Sequence, residues 1–433
     1  MKLKTIQGSI VAAHGFRAGG VFCDIKRLGT GKGSQKGAKR DLTLIVSDVS
    51  ATVAGMFTTN QVCAAPVKLC VRRLKKGAAR ALVVNSGNAN ACTGEQGRLD
   101  AIEMTRAAAE ALGVPVEEVF VGSTGRIGVE MPMENIRNGI AAAAQVLGKT
   151  PAHAEAAAEA IMTSDTRPKQ MAVEFKLSGQ TVRLGGICKG AGMIQPGMSA
   201  TGKRPAALHA TMLCFLTTDA AVPQRVLQPL IEEAVALSFN RITVDGDMST
   251  NDTVLILANG MACNDPKADF APLREALNHV CLDLAKMIVR DGEGVHRVVT
   301  VHVKGARSAR EADAAARAVA NSALVKTSWH GGDPNWGRII DALGYSPARV
   351  VEDKVNIGYS ASGSKLTVWS LQNGQPTDVP FVRLCEMAAP DEFDLHIDLQ
   401  LGKGEAVIYA ADLTEEYVDF NKGDVTDPGT LGG

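Results

Sequence analysis

Apolar positions recur along this chain in two rhythms that alternate from one end to the other. Residues at three-to-four spacing, mostly Ala, Leu and Met, predict helices over 97–112, from about Met133, from Pro151 with Thr150 as cap, from Pro223 to about Ser238, from Pro272 to Arg290 and from Ser308 to about Ser322. Between them lie short β-branched and apolar runs. LTLIVSDV from Leu42 and ARALVVNSGNAN from Ala79 are the clearest strands, and VEEVFVGSTGRIG carries a strand into a glycine-bracketed turn. KQMAVEFKLSGQTVRLGGICKG predicts a hairpin turning at Ser178-Gly179. RITVDGDMSTNDTVLILANG predicts two strands around a polar turn, and DEFDLHIDLQLG with EAVIYAADL a hairpin around Gly402 to Gly404. FRAGGV and GTGKGSQKGAK read as loops. Strands and helices in alternation imply the α/β class.

Composition narrows the range of functions. A chain of 433 residues, 45% hydrophobic, is ample for a large core and more than one lobe. Forty-six basic against 46 acidic residues gives no electrostatic reason to bind nucleic acid or a membrane surface, so small metabolites are the expected partners. Nine cysteines without a CxxC pair, no charged-then-apolar leader, and no apolar run near ~20 residues fit a cytoplasmic protein with free thiols.

The stretch from Lys189 to Ala221 concentrates the chemistry. Gly190, Gly192, Pro196, Gly197, Gly202 and Pro205 predict a loop up to about His209, and at Thr211 the chain turns abruptly into TMLCFLTT, a buried strand. A threonine opening a core strand behind a glycine-rich loop is what a self-cleaving N-terminal nucleophile requires. Attack of its hydroxyl on the Ala210 carbonyl, then hydrolysis of the ester, frees a chain whose α-amine, with an ordinary pKa of roughly 7.7–8.0, can serve as base for its own hydroxyl. Such a threonine can equally do no more than pack. Ala200-Thr201 is a competing pair, but Gly202 and Lys203 follow it instead of a strand.

Other polar clusters carry weaker signals. The Gly29–Lys39 run lacks the order of a phosphate-binding loop, and the turn holding Asp245, Asp247, Asn251 and Asp252 lacks that of a calcium loop. His296 and His302 fall on one face of the predicted strand by alternation, with no third ligand at zinc spacing, so no metal is expected. Asp333, Asn335 and Arg338 read as a knot satisfying buried backbone groups, with Trp336 as its anchor.

Lys189 to Pro196 (KGAGMIQP), Ala210 to Leu213, and Thr218, Asp219 and Ala220 together resemble the ornithine acetyltransferase (glutamate N-acetyltransferase) family pattern KGxGMIxPNMATML followed by a strand ending in TDA. Residues 197–209 are an insertion, and Gly197 stands where the family usually has Asn. GGDPNWGRI at Gly331 to Ile339 and EYVDFNKGDVT near the C-terminus extend the likeness over nearly the whole chain. The resemblance implies a layered α-β-β-α sandwich of the self-processing N-terminal-nucleophile kind with a smaller C-terminal lobe. It implies cleavage between Ala210 and Thr211 into chains 1–210 and 211–433, assembled as two copies of each. It also implies acetyl transfer from N2-acetyl-L-ornithine to L-glutamate through acetyl-Thr211, without a cofactor, and with acetyl-coenzyme A as a second candidate donor. In that reading Thr124 and Gly125 stabilise the oxyanion, while Thr166, Lys189, Thr211, Glu293, Asn421 and Thr426 bind substrate. Arg126, Lys422, Gly423 and Val425 depart from the pattern. The rival readings are a related N-terminal-nucleophile amidase or aminopeptidase, a secondary-metabolism acyltransferase, and an unprocessed binding protein.

Overall fold

A computed structural model describes residues 3–26, 39–202 and 212–422. They fall in two compact units, one drawn from residues up to Asn240 and Asp247–Ile288, the other from Arg241–Gly246 and Val289–Lys422.

The first unit is built on one sheet whose path, among the described residues, runs β1 (Lys4–Thr5), β6 (Lys169–Leu177), β7 (Gln180–Lys189), β9 (Leu213–Thr218), β11 (Thr253–Ala258), β3 (Leu42–Thr58), β4 (Ala78–Asn88) and β5 (Val119–Arg126). Two further strands, β2 (Phe16–Val21) and β8 (Met198–Ser199), also pair with β3. At 17 residues, β3 is the hinge of the design. Its first part lies between β2 and β4, its register shifts between Val46 and Ala51, and residues 52–57 then pair with β11. A register shift of this kind bends and twists a strand.

The bend folds the sheet onto itself. Strands β5 and β9 are not neighbours along the path, yet a Cβ on Gly122 of β5 would stand 3.1 Å from the ring of Phe215 in β9. The two layers share one apolar core, in which Val83, Val121, Ile187, Phe215 and Leu255 are buried together. Helix α1 (Ala65–Leu74) packs on β5 through the Cys70 thiol 3.1 Å from the Val121 carbonyl, and α2 (Gly94–Leu112), α3 (Met133–Gln145) and α4 (Pro151–Ala160) cover the same layer. Against the other layer lie α5 (Gln224–Leu237), whose Gln228 bonds the Gly55 backbone, and α6 (Ala271–Arg290), whose Leu284 carbonyl lies 3.5 Å from the Cys188 thiol. The expected layered α/β arrangement is therefore present in this unit.

FRAGGV, expected as a loop, is β2. Its glycines make room rather than turns: a Cβ at Gly20 would sit 2.1 Å from the Ala156 carbonyl oxygen, and one at Gly19 3.1 Å from that of Val146. The Gly29–Lys39 loop lies almost wholly outside the described residues.

The second unit holds a sheet ordered β10 (Ile242–Thr243), β17 (Gly404–Ala411), β12 (Val298–Ala306), β16 (Glu392–Asp398), β13 (Asn356–Ala361), β14 (Val368–Gln372) and β15 (Gln375–Pro376). Its helices are α7 (Ala309–Asn321), α8 (Ala323–His330), α9 (Trp336–Gly344), α10 (Phe381–Ala388) and α11 (Glu415–Asn421). Three expectations are corrected here. β16 and β17 form no hairpin, because β12 lies between them; Gly402 and Gly404 instead let the chain cross the end of β12, where a Cβ would meet the Ala306 and Ser308 carbonyls at 2.6 and 2.2 Å. The two strands expected around the polar turn after Arg241 are both present, as β10 and β11. His296 precedes β12 and meets His330 edge-on at 5.2 Å, whereas His302 stacks on His396 at 5.0 Å, so the two share no strand face. In the DPNWGRI knot, Asn335 caps α9 and bonds Asp333, and Arg338 bonds the Leu324 carbonyl, but the buried tryptophan is Trp329, at 1% exposure, with Trp336 half-buried.

Candidate functional site at the strand ends of the first unit

The polar groups of the first unit gather where β4, β5, β7 and β9 begin or end. VVNSGNAN finishes β4 and ties its backbone to its neighbours through side chains: Ser123 donates to Asn85 at 2.6 Å, Asn85 to the Asn88 carbonyl at 2.9 Å, and Asn251 to the Ala89 and Ser123 carbonyls at 2.6 and 2.7 Å. These bonds satisfy backbone groups that leave the ladder and hold the end of β5 rigid. Gly125 follows in the left-handed half of the map at φ +130°, and a Cβ there would lie 2.3 Å from the Gly87 carbonyl carbon. Only glycine fits.

Lys189, the last residue of β7, is 3% exposed, and its ammonium donates to the Thr124 hydroxyl at 3.3 Å. The structure thus brings together Thr124, Gly125 and Lys189, which the sequence places far apart. A buried ammonium needs a counter-charge, and Asp165 supplies it. Its Oδ1 accepts from Lys169 Nζ at 2.6 Å and from the Gly190 N–H at 2.7 Å, and its Oδ2 from the Thr163 N–H at 3.0 Å. Burial works against ionising this carboxyl, but the Lys169 and Lys189 ammoniums and these bonds overcome it and hold the acid well below the ordinary carboxylate range. Thr166, the residue singled out in sequence, is exposed beside this buried acid.

β9 enters the sheet between these groups, Leu213 being paired with Lys189 on one side and Thr253 on the other. The Met212 N–H donates to Asp252, and the Met212 carbonyl accepts from the Thr253 N–H at 3.1 Å. Burial pushes the Asp252 carboxyl far above its ordinary pKa, against the Met212 N–H and the Lys189 charge. Ala210, Thr211 and Thr426 lie outside the described residues.

In the second unit Glu293 accepts from Asn421 Nδ2 at 2.9 Å, so two of the sequence-predicted binding residues meet there. Thr414 caps α11 and bonds the Gly294 carbonyl at 2.7 Å, which ties the helix carrying Asn421 to the segment carrying Glu293. Among the described residues no group of three His, Cys, Asp or Glu is arranged to hold a metal ion, and no helix is long and apolar enough to cross a membrane.

Asp165, Lys169 and Asp252 were missed as site residues. The one local sign was an acid four residues before a lysine in SDTRPK, a spacing that on a helix would be a solvent-side pair. Here the segment is a turn into β6, and both groups are buried.

Fold and site together define a layered α/β protein whose preorganised donors, an ammonium and a hydroxyl beside an obligate glycine, suit negative charge at the strand ends. The chain belongs to the ArgJ family, whose model matches residues 19–424. It is 44% identical over 423 residues to the arginine biosynthesis bifunctional protein ArgJ of Symbiobacterium thermophilum, covering 97% of this chain and 99% of that one. To the protein of the same name from Geobacter sulfurreducens it is 45% identical over 414 residues, 94% of this chain and 98% of that one. The glutamate N-acetyltransferase of Methanocaldococcus jannaschii is 42% identical over 424 residues, 97% of this chain and 99% of that one.

Proposed function

We propose that this protein transfers an acetyl group from N2-acetyl-L-ornithine to L-glutamate, within arginine biosynthesis, through an acetyl ester on Thr211. Processing comes first: Thr211 Oγ attacks the Ala210 carbonyl, the peptide becomes an ester, and water releases chains 1–210 and 211–433, which assemble as two copies of each. The freed amine of Thr211 then takes the hydroxyl proton as Oγ attacks the acetamide, and passes it to the leaving nitrogen of ornithine. Glutamate enters, and its amine attacks the ester and carries off the acetyl group. Thr124 and the Gly125 amide stabilise the oxyanion of each tetrahedral intermediate. Lys189 takes the α-carboxylate, which both amino acids have in common. Glu293, with Asn421, is given the side-chain ammonium of ornithine, and Thr166 and Thr426 the remaining polar atoms.

The observation that carries this reading is the Lys189–Thr124 contact, a buried cation against the hydroxyl assigned to the oxyanion, in a chain that matches glutamate N-acetyltransferase relatives over 97% of its length. The test is an assay of purified protein with acetylornithine and glutamate, and with acetyl-coenzyme A as a second donor. Formation of N-acetylglutamate, abolished by Thr211→Ala, is expected. Release of free acetate without transfer would instead indicate an amidase.

A further inference from the structure

Residues 291–297 join α6 to β12, lie in neither helix nor strand, and carry Glu293. A segment of this kind has no ladder to fix a side chain, so its place is set by what its backbone groups bond. Three of them bond residues 412–414, which follow β17. The His296 N–H donates to Asp412 Oδ1 at 3.0 Å, the Asp412 N–H donates to the Arg297 carbonyl at 3.0 Å, and the Thr414 hydroxyl donates to the Gly294 carbonyl at 2.7 Å. Gly294 permits the close approach: its φ is +64°, and a Cβ there would stand 2.4 Å from the Tyr417 nitrogen.

The Thr414 bond is the one nearest Glu293 along the chain, and the same hydroxyl makes a second. It accepts the Tyr417 N–H at 3.0 Å and so caps α11, the helix whose last residue, Asn421, donates to Glu293 at 2.9 Å. A carboxylate could cap the helix equally well, but it could not also donate to Gly294; a hydroxyl does both. Thr414 is buried, so losing either bond leaves a polar group that water does not readily satisfy. One side chain therefore fixes both the backbone that carries the carboxylate and the helix that carries its partner.

We propose that Thr414 is a positioning residue that sets the Glu293 carboxylate for the side-chain ammonium of ornithine, and so governs binding of acetylornithine but not of glutamate. The inference rests on the function proposed above. Glutamate has no side-chain ammonium, so displacing Glu293 costs it nothing. His296 and Arg297 keep their bonds to Asp412 when Thr414 is changed, which confines the disturbance to the Gly294 end of the segment.

The experiment uses the full chain as wild type, Thr414→Ser, Thr414→Asp and Thr414→Val, each alone and combined with Glu293→Gln. It measures KM for acetylornithine and for glutamate, and the Kd of ornithine by titration calorimetry, which needs no turnover. T414V and T414D are expected to raise KM for acetylornithine and the ornithine Kd by about three- to tenfold, the effect of one hydrogen bond, with KM for glutamate within about twofold. T414S should stay within about twofold of wild type throughout. Aspartate keeps the cap but cannot donate, and its charge by itself would attract the ammonium, so weaker ornithine binding in T414D isolates the bond to Gly294. With E293Q already present, T414V should add less than about twofold, because the group it positions is gone. A T414D that binds ornithine as tightly as wild type, a T414S as impaired as T414V, equal rises for both substrates, or full additivity with E293Q would each overturn the proposal. If T414V does not fold, the T414D and T414S titrations decide it. An E293Q with unchanged ornithine Kd would instead refute the role given to Glu293 in the proposed function, and this inference with it.

Discussion

The Lys189 ammonium lies 3.3 Å from the Thr124 hydroxyl, although β7 and β5 are separated by four intervening strands along the path of the sheet. The contact exists because β3 bends and brings the two layers face to face. It joins the residue proposed for substrate binding to the one proposed for the oxyanion, so a change at either is expected to disturb both.

Lys189→Met is therefore expected to raise KM for both amino acids and, by freeing the Thr124 hydroxyl it holds, to lower kcat by up to about 10²–10³-fold, the full cost of losing one preorganised oxyanion donor. Lys189→Arg should rescue little, because a planar fork does not replace a compact ammonium in a site with almost no exposure. Steady-state kinetics with each substrate varied in turn checks both statements.

Gly125→Ala combines strained backbone with a collision against Gly87. A loss of at least about 1–3 kcal/mol is expected from the backbone strain alone. Urea unfolding measures it, and a matched Gly128→Ala control, where φ is also positive but no atom lies within 4 Å, should lose less.

Asp165 makes a prediction in pH. Its folded-state pKa lies below that of the unfolded chain, so the stability it contributes is present above the ordinary aspartate value of about 3.9 and is lost as pH falls through its depressed folded value. Asp165→Asn should cost about 3–5 kcal/mol at pH 7, since it leaves Lys169 and Lys189 buried without their counter-charge. It should also flatten the fall of Tm with acidification below pH 4. Thermal melts of both proteins from pH 2 to pH 7 check the sign. A variant whose Tm falls in parallel with the wild type would contradict it.

Glu293→Gln separates the two substrates. Ornithine has a side-chain ammonium and glutamate has none, so the variant should raise KM for acetylornithine by about tenfold or more while leaving KM for glutamate within about twofold. Equal effects on both would assign Glu293 a structural role through Asn421.

Much of the fold could be read from periodicity, because helices such as α3 and α5 carry one apolar face and the β6–β7 hairpin turns at Ser178-Gly179 as its residues predict. Two of the misreadings share a cause. Gly19, Gly20, Gly402 and Gly404 look like turn residues in sequence, but each makes room for another backbone, and that need arises only once distant segments pack. The candidate site was legible where a motif fixes residue type, as at Thr124, Gly125 and Lys189. Asp165 and Asp252 were not, because no local pattern distinguishes a buried aspartate from one in a solvated turn.

Intact mass and N-terminal sequencing of the purified wild-type protein test the central claim most directly. The account predicts two chains, one beginning at Met1 and the other at Thr211, with Thr211→Ala remaining a single 45.4 kDa species and Thr201→Ala still cut. An unbroken wild-type chain that nevertheless transfers acetyl groups would contradict it.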